Sequence, residues 1–307
     1  MKTLITGGSG SIGRKLTRHL TQYGQEVIVL SRDPAKVTGL PKNARAVKWD
    51  GRTAEGWLTE ADGADAIVNL AGENLAGSGF FPARWTDERK RAIRESRLNA
   101  GKAVAEAVAH VPNKPKLVIQ SSAIGYYGPR GDEQLTETAT AGNDYLANLC
   151  KEWEAATAPV EKTGVRRAII RTGIYLTPDD GALKRLILPY NLFAGGPFGN
   201  GQQWYSWIHP DDQVEAIRFI IENQHSGIFN LTAPQPLKNK DFGKTLGKVL
   251  GRPSLIPIPR FALQTAFGEV VTVVFDGQRV VPQHLQDLGF TFKFPNLETA
   301  LKDLLKK

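Results

Sequence analysis

The sequence predicts an α/β fold: a doubly wound parallel sheet with a smaller C-terminal α+β lobe. Two observations support this. Short runs of β-branched and aliphatic residues alternate with stretches of helical periodicity up to about residue 175, as in strands joined by crossover helices. After residue 176 the alternation loosens into a glycine- and aromatic-rich loop, short strands and amphipathic helices. We therefore expect one domain over 1–175, with a return segment near 208–233, and a smaller lobe over 176–307.

Composition indicates a globular protein of a reducing compartment. Of its 307 residues 41% are hydrophobic and 23% charged, and the single cysteine, Cys150, cannot form an internal disulfide. The chain starts directly in a strand, and no apolar run approaches the ~18 residues that span a membrane. We expect a cytoplasmic protein without a membrane partner. The net charge of +8 suits an anionic small ligand or nucleic acid. Since no nucleic-acid motif accompanies it, we expect no nucleic-acid partner.

A glycine loop joins the first strand to the first helix. The run "TLIT" leads into "GGSGSIG", and a helical pattern follows up to Gly24, before a second strand, "EVIVL". Glycines in this arrangement permit a tight turn and bring backbone N–H groups and a helix N-terminus close to a pyrophosphate. The sequence therefore predicts a Rossmann-type dinucleotide site. The residues predicted to contact the cofactor here are Thr6, Gly7, Gly8, Gly10, Ser11, Ile12 and Gly13.

The tip of the second strand bears on the choice between NAD(H) and NADP(H). Asp33 lies 20 positions after Gly13, a spacing that suits the ribose hydroxyl of NAD. The strand is expected to end at Leu30, however, which puts Ser31 and Arg32 at the tip. A hydroxyl with a guanidinium suits a phosphate. We therefore favour NADP(H) over NAD(H), against the alternative that Arg32 is a solvated loop residue.

The later strands end at the same crevice. The third is expected at "ARAVKWD", the fourth at "ADAIVNLAG", the fifth at "KLVIQSSAIGYYG" and the sixth at "RRAIIRTGIYL". A long helix, "RWTDERKRAIRESRLNAGKAVAEAVAHV", precedes the fifth. Ligands of a doubly wound sheet bind at the carboxyl ends of its strands. The further cofactor-binding residues predicted at those ends are Trp49, Asp50, Leu70, Ala71, Gly72, Glu73, Ser121 and Ile174.

Several motifs together resemble the extended and atypical short-chain dehydrogenase/reductases. Within them the chain is most similar to the group labelled epimerase family protein, of the NAD-dependent epimerase/dehydratase superfamily. The N-terminal motifs are "TGGSGSIG", "NLAGEN", "RWTDERKRAIRESR", "SSAIGYYG", "CKEWEAA" and "RTGIYL". The characteristic C-terminal part holds "GGPFGNGQQWYSWIHPDD", "FNLTAPQP" and "GQRVVPQHLQDLGF". The resemblance spans nearly the whole chain and implies NADP(H) binding. For some relatives it also implies a link to cell or plastid division.

The resemblance also raises the question of the catalytic pair. Catalytic members of the superfamily carry Tyr-x-x-x-Lys on the helix after the fifth strand, together with a Ser or Thr from that strand. In "NDYLANLCKEWE" the corresponding positions hold Leu146 and Cys150. Tyr145 and Lys151 lie one residue to either side and, at ~100° per residue, point away from one another. The usual proton relay is therefore predicted to be missing.

Four residues are candidates for a substitute set. Ser122 is either a hydroxyl of the site or a capping residue at the strand end. Tyr126 and Tyr127 are either a substitute phenol or packing residues. His209, in "WIHPDD", is either an acid–base group or a hydrogen-bonded structural residue. The remaining histidines show no metal-ligand spacing, so no metal is expected.

Two functions remain open from the residues alone. A run rich in amides and aromatic rings, with Gln202, Gln203, Trp204 and Trp207, suits either a sugar- or nucleotide-like ligand or simple lobe packing. The first function is an NADP(H)-dependent oxidoreductase or epimerase acting on a small polar substrate. The second is a non-catalytic NADP(H)-dependent regulator or scaffold, whose protein partner reads cofactor occupancy.

Overall fold

The structure, a computed structural model, describes residues 1–77, 79 and 81–306. In chain order its strands are β1 (Lys2–Thr6), β2 (Glu26–Ser31), β3 (Ala44–Lys48), β4 (Ala66–Asn69), β5 (Leu117–Ala123), β6 (Gln134–Leu135), β7 (Arg166–Thr172), β8 (Ile174–Tyr175), β9 (Trp204–Tyr205), β10 (Trp207–Ile208), β11 (Gly227–Leu231), β12 (Leu237–Lys238) and β13 (Arg279–Val280). Its α-helices are α1 (Ser11–Gln22), α2 (Leu58–Ala61), α3 (Asp87–His110), α4 (Tyr145–Ala155), α5 (Gly181–Asn191), α6 (Pro210–Glu222), α7 (Asn239–Leu250), α8 (Arg260–Phe267), α9 (Thr272–Phe275), α10 (Gln283–Asp287) and α11 (Leu297–Leu305). Short 3-10 helices cover Pro34–Lys36, Ile124–Tyr127, Ala158–Thr163 and Gly268–Val271.

Seven parallel strands form the central sheet, in the order β11-β7-β5-β4-β1-β2-β3. The chain starts at β1 in the interior of the sheet, builds outward through β2 and β3, and then crosses back to β4 on the other side of β1. This reversal opens a crevice at the carboxyl ends of β1 and β4, which is where ligands of such sheets bind. The predicted Rossmann-type doubly wound sheet is confirmed.

Helices cover both faces of the sheet, which is why its strands are near-continuous apolar runs. On one face α1 and α6 contribute Leu16, Leu20 and Ile217 to a core with Val29 and Ile119. On the other face α3 supplies Ala100, Val104 and Val108, which are clustered with Ile28 and Val118. Alternate residues of one strand, such as Ile28 and Val29, thus enter opposite cores.

Strand ends differ from the sequence-based expectation by one to three residues. The third strand ends at Lys48 and the fourth at Asn69, so the residues after them are loops. The sixth run divides at Gly173 into β7 and β8, because β8 leaves the main sheet to pair with β10. A Cβ on Gly173 would lie 2.5 Å from the Ser206 carbonyl oxygen, so the two segments cross at glycine distance.

The C-terminal lobe has its own core, and part of the chain returns from it to the main sheet. Tyr205, Trp207, Phe242, Leu246 and Leu301 pack between α5, α7 and α11. Residues 210–231, as α6 and β11, return to the main sheet, where β11 pairs with β7 at the edge. Within the described ranges, no helix is long and apolar enough to cross a membrane.

Candidate functional site

The glycine loop makes the tight turn that a bound pyrophosphate needs, and a side chain at Gly7 or Gly13 would clash with the backbone of this turn. Gly7 adopts a φ of +67°, and a Cβ there would lie 2.9 Å from the Leu70 carbonyl oxygen. A Cβ on Gly13 would lie 2.5 Å from the Gly7 carbonyl oxygen, so α1 approaches the loop at glycine distance. Gly10 caps α1 without a side-chain acceptor, which leaves the first-turn amides open to an anion.

Other predicted residues of this segment support the loop from below. The buried Thr6 hydroxyl donates to Asn69 Oδ1 at 2.6 Å and accepts from the Ala71 amide at 3.2 Å. It therefore ties β1 to the chain that follows β4. Ile12 packs against the core, and Ser11 lines the same cavity as Tyr175. Thr6 thus shapes the crevice, while the loop glycines line it.

Two cations meet at the tips of β2 and β3. Arg32 is exposed, and Lys48, opposite Ser31 in the strand register, donates from Nζ to the Arg32 carbonyl oxygen. The Asp33 carboxylate forms an ion pair with Lys36 at 3.0 Å, and both side chains are largely exposed. Sequence analysis missed Lys48. Its signal was a basic residue at the end of the strand next to Arg32.

Trp49 and Asp50 take structural positions just after β3. Trp49 is buried, donates from Nε1 to the Thr53 carbonyl oxygen at 2.8 Å and packs edge-on against Trp57. Its ring lies mainly in the core after β3, and a contact between Trp49 and the cofactor stays a prediction. Asp50 accepts from the amides of Arg52 and Thr53 at 2.7 and 2.9 Å and so closes a turn.

In the loop after β4, residues 70–77 and 79 are held by donors to their carbonyl groups. Arg97 donates to the Glu73 carbonyl oxygen at 2.9 Å, Trp85 Nε1 to that of Leu75 at 2.8 Å and Arg185 to that of Gly79 at 2.8 Å. Arg89 bonds the Asn74 carbonyl oxygen. Leu70 and Ala71 are half-buried, whereas Gly72 and Glu73 are exposed at the crevice.

The helix that normally carries the Tyr–Lys pair has the predicted register. Leu146 lies beside Gly125, and Cys150 Sγ donates to the Ala123 carbonyl oxygen at 3.7 Å, so both face the end of β5. Tyr145 instead turns toward the segment that leads into α3, where its ring packs against Trp85 with the ring centroids 5.1 Å apart. Burial raises the pKa of the Cys150 thiol to about 11. Neither Leu146 nor Cys150 can therefore serve as a proton donor and acceptor near neutral pH.

Ser122 and Tyr127 are engaged in a buried polar network at the end of β5. Ser122 donates to Glu154 Oε1 at 2.6 Å, and Arg171 donates to both oxygens of the same carboxylate at 2.9 Å. Arg171 also donates to the Tyr127 hydroxyl at 3.1 Å, which donates to Asn230 at 2.6 Å. Burial raises the pKa of Tyr127 to about 12. These contacts favour the structural alternative for Ser122 and Tyr127.

The other two candidates have contrasting surroundings. Tyr126 is half-buried with its ring 3.4 Å from the Arg171 guanidinium, and its phenol bonds none of the described side chains. His209 is buried at the start of α6, where Nδ1 accepts from the Asp211 amide at 3.1 Å. Its ring lies 3.8 Å from that of Phe294, and burial lowers its pKa to about 4. Tyr126 therefore remains as the candidate phenol, whereas His209 has the structural role of a helix cap.

The remaining predicted residues lie around the crevice or in the second lobe. Ser121 is buried, and the Ile174 amide donates to the Ser206 carbonyl oxygen at 2.8 Å. A cavity of about 620 Å³ lies between the C-terminal lobe and the segment 129–132 that follows β5; its lining includes Asn200, Gln202, Lys238 and Arg260. Trp207 is fully buried and belongs to the lobe core instead. Among the described residues, no three His, Cys, Asp or Glu side chains converge as metal ligands would.

Comparisons with known proteins agree with this geometry. The family model "NAD dependent epimerase/dehydratase family" matches residues 3–232, and "Domain of unknown function (DUF1731)" matches residues 258–304. The chain is 38% identical to epimerase family protein YfhF of Bacillus subtilis, over 99% of this chain and 98% of that one. It is 37% identical to the chloroplastic SDR39U1 homolog of Arabidopsis thaliana, over 100% of this chain and 87% of that one.

A solved structure extends the comparison to the cofactor. The human epimerase family protein SDR39U1 (isoform 2), solved with NADPH, superposes with a TM-score of 0.88 at 31% identity, covering 100% of this chain and 99% of that one. The glycine loop, the sheet order and the full-length similarity support the same family assignment. The chain belongs to the NAD dependent epimerase/dehydratase family, as its motifs predicted.

Proposed function

We propose that the protein binds NADP(H) at the carboxyl ends of β1, β2, β4 and β5 and uses it in a redox or epimerase reaction on a small polar substrate, sugar- or nucleotide-like. Support for the cofactor comes from the glycine loop. Only glycine fits at positions 7 and 13, because a Cβ at either position would clash with the backbone. When bound, the dinucleotide would supply or accept the hydride. The protein's own residues bind, orient and move protons.

The preference for NADP(H) over NAD(H) is supported by the tip of β2. Arg32 and Lys48 place two cations there. A phosphate gains charge-assisted bonds from such a pair, whereas the uncharged ribose hydroxyl of NAD(H) does not.

Calorimetric titration with NADPH and NADH tests this preference. The double variant Arg32→Ala with Lys48→Ala should weaken NADPH binding by roughly tenfold or more and leave NADH binding unchanged. Lys36→Ala, which removes a neighbouring exposed cation, is the matched control and should retain most of the NADPH affinity. Unchanged NADPH affinity in the double variant would remove the argument.

The observation that carries the catalytic proposal is the 620 Å³ cavity between the C-terminal lobe and residues 129–132, whose volume suits a small polar molecule. Its lining mixes Phe198 and Phe275 with the amides of Asn200 and Gln202. For proton transfer we propose Tyr126, because Ser122 and Tyr127 are already engaged. The stacked Arg171 guanidinium holds the Tyr126 ring in place.

A panel of sugar nucleotides and small carbonyl compounds tests the reaction. Absorbance of the dihydronicotinamide reports net oxidoreduction, and chromatography of the products reports epimerisation, which regenerates the cofactor and leaves the absorbance unchanged. At least one member should be turned over, and Tyr126→Phe should lower its kcat by roughly a hundredfold. Tyr23→Phe, on an exposed residue at the end of α1, is the control. Equal kcat in Tyr126→Phe and wild type would exclude the phenol.

A second candidate function is favoured by a different observation, the lack of a proton donor at the positions of the usual Tyr–Lys pair. Leu146 and Cys150 replace the usual pair, and the adjoining polar groups are locked in the Arg171 network. On this proposal the protein is a non-catalytic regulator, and NADP(H) occupancy sets the affinity for a protein partner. It predicts no turnover across the panel, together with a partner whose affinity changes when NADPH is added. Turnover of any compound by wild type, lost in Tyr126→Phe, would exclude it.

We also propose that the protein works in the cytoplasm, independently of membranes and nucleic acid. A single buried thiol suits a reducing compartment. Cell fractionation and salt-dependent retention on DNA test these points, and retention without cofactor would contradict the second.

A further inference from the structure

Arg97, on α3, is a buried cation at the crevice. Its side chain is 8% exposed and donates from Nη1 to the carbonyl oxygens of Glu73 at 2.9 Å and Ile93 at 3.0 Å. The guanidinium lies over the Trp153 ring at 4.7 Å. Its Nε, also buried, has no hydrogen-bond acceptor among the described residues. Arg97 is therefore held by neutral groups only.

This charge lacks the partner that the neighbouring cations have. On the same helix Lys90 pairs with Glu269 and Arg94 with Glu152, and the buried Arg171 pairs with Glu154. Arg97 forms no ion pair within the described part of the chain, and the Glu73 side chain near it is exposed to water. Burial lowers the pKa of Arg97, but a guanidinium stays protonated in proteins. An unpaired, desolvated charge acts over a longer range than a solvated one.

The position of Arg97 matters because of the direction of the dinucleotide. The adenosine half belongs to the β2 side, at Arg32, and the pyrophosphate to the glycine loop, so the nicotinamide half falls over the ends of β4 and β5. Arg97 lies directly below the residues that follow β4, since a Cβ on Gly72 would sit 3.2 Å from its Cζ. Its guanidinium also lies over the ring of Trp153 on α4, the helix whose Cys150 contacts the end of β5.

We propose that Arg97 makes the site selective for the reduced cofactor, NADPH, over NADP⁺. The oxidised nicotinamide ring carries a positive charge and the reduced ring is neutral, so an unpaired guanidinium at this end of the crevice disfavours only the oxidised form. This inference rests on the proposed NADP(H) binding and deepens it. The protein would hold NADPH and release NADP⁺, as suits either a reductase or a sensor of the reduced pool.

The test compares dissociation constants for NADPH and NADP⁺, each titrated calorimetrically into wild type, Arg97→Met and Arg94→Met. Wild type should bind NADPH at least threefold more tightly, and Arg97→Met should lower this ratio by roughly threefold to tenfold, as one charge at ~10 Å in a partly polar medium would. Arg94→Met, which removes an exposed and paired cation one turn away, should keep the wild-type ratio.

Each outcome separates the two proposals. Equal or weaker binding of NADPH than of NADP⁺ by wild type would overturn the role of Arg97 while leaving cofactor binding intact. An unchanged ratio in Arg97→Met would do the same, and needs only that this variant still binds NADPH. If wild type binds neither form, the proposed function itself fails and this inference with it.

Discussion

The buried ion pair between Arg171 of β7 and Glu154 of α4 offers the sharpest test of how α4 is held against the sheet. The two side chains are 1% and 10% exposed, and both nitrogen–oxygen contacts measure 2.9 Å. Glu154→Gln keeps the shape of the side chain but removes its charge, which leaves a buried guanidinium uncompensated. Breaking a buried pair on one side costs about 3–5 kcal/mol. We expect a loss of that size in the free energy of unfolding.

Urea unfolding followed by tryptophan fluorescence measures that loss. Glu152→Gln is the matched control, because it lies on the same helix and breaks an ion pair with Arg94 that is about half exposed. Such pairs contribute ~0–1 kcal/mol. Replacing both partners, Glu154→Leu with Arg171→Met, should recover part of the stability, since no charge is then left unpaired. A loss in Glu154→Gln no larger than in Glu152→Gln would refute the reasoning.

Three further predictions follow from individual sites. His209 has a folded-state pKa of about 4, below its unfolded value near 6.5, so the unfolded chain takes up the proton first and stability falls as pH drops through this window. Between pH 7 and pH 5 wild type should lose about 2 kcal/mol that His209→Asn does not, by urea unfolding at each pH. Gly13→Ala would place a Cβ 2.5 Å from the Gly7 carbonyl oxygen, whereas the Cβ of Gly10→Ala would lie 3.2 Å from that oxygen. Gly13→Ala should therefore weaken NADPH binding more than Gly10→Ala. Fluorescence titration measures both affinities, and equal values would contradict the packing argument. The Cys150 thiol, 4% exposed with a pKa of about 11, should not react with Ellman's reagent at pH 8 until the protein is unfolded in urea, and rapid labelling of the folded protein would count against its burial.

Local patterns carried much of the fold. The glycine loop, the apolar strand runs and the helix up to Gly24 each follow from spacing alone, because turn geometry and burial leave few residue choices. The register of α4 was also predictable, since ~100° per residue decides which side chains meet the sheet. What spacing could not show was the exit of β8 from the main sheet, which depends on a tertiary contact at Gly173.

The site was predicted less completely, and the reason is distance along the chain. Ser122 and Tyr127 looked available because their partners, Glu154 and Asn230, lie 32 and 103 positions away. Arg97 lies in a helix with many charged residues, and no local feature of the sequence distinguishes it from its exposed neighbours. Trp49 likewise belonged to the core because of a contact with Thr53 that only the folded turn provides.

The edge of the central sheet limits how this chain can be divided. β11 pairs along its whole length with β7, and it is a strand that arrives only after the polypeptide has passed through the second lobe. A fragment that ends at residue 175 would therefore expose the unpaired backbone amides and carbonyl groups of β7 and would be prone to aggregate. Truncation to the nucleotide half is thus no route to a minimal version of this molecule, and any autonomous piece must carry residues 227–231 with it.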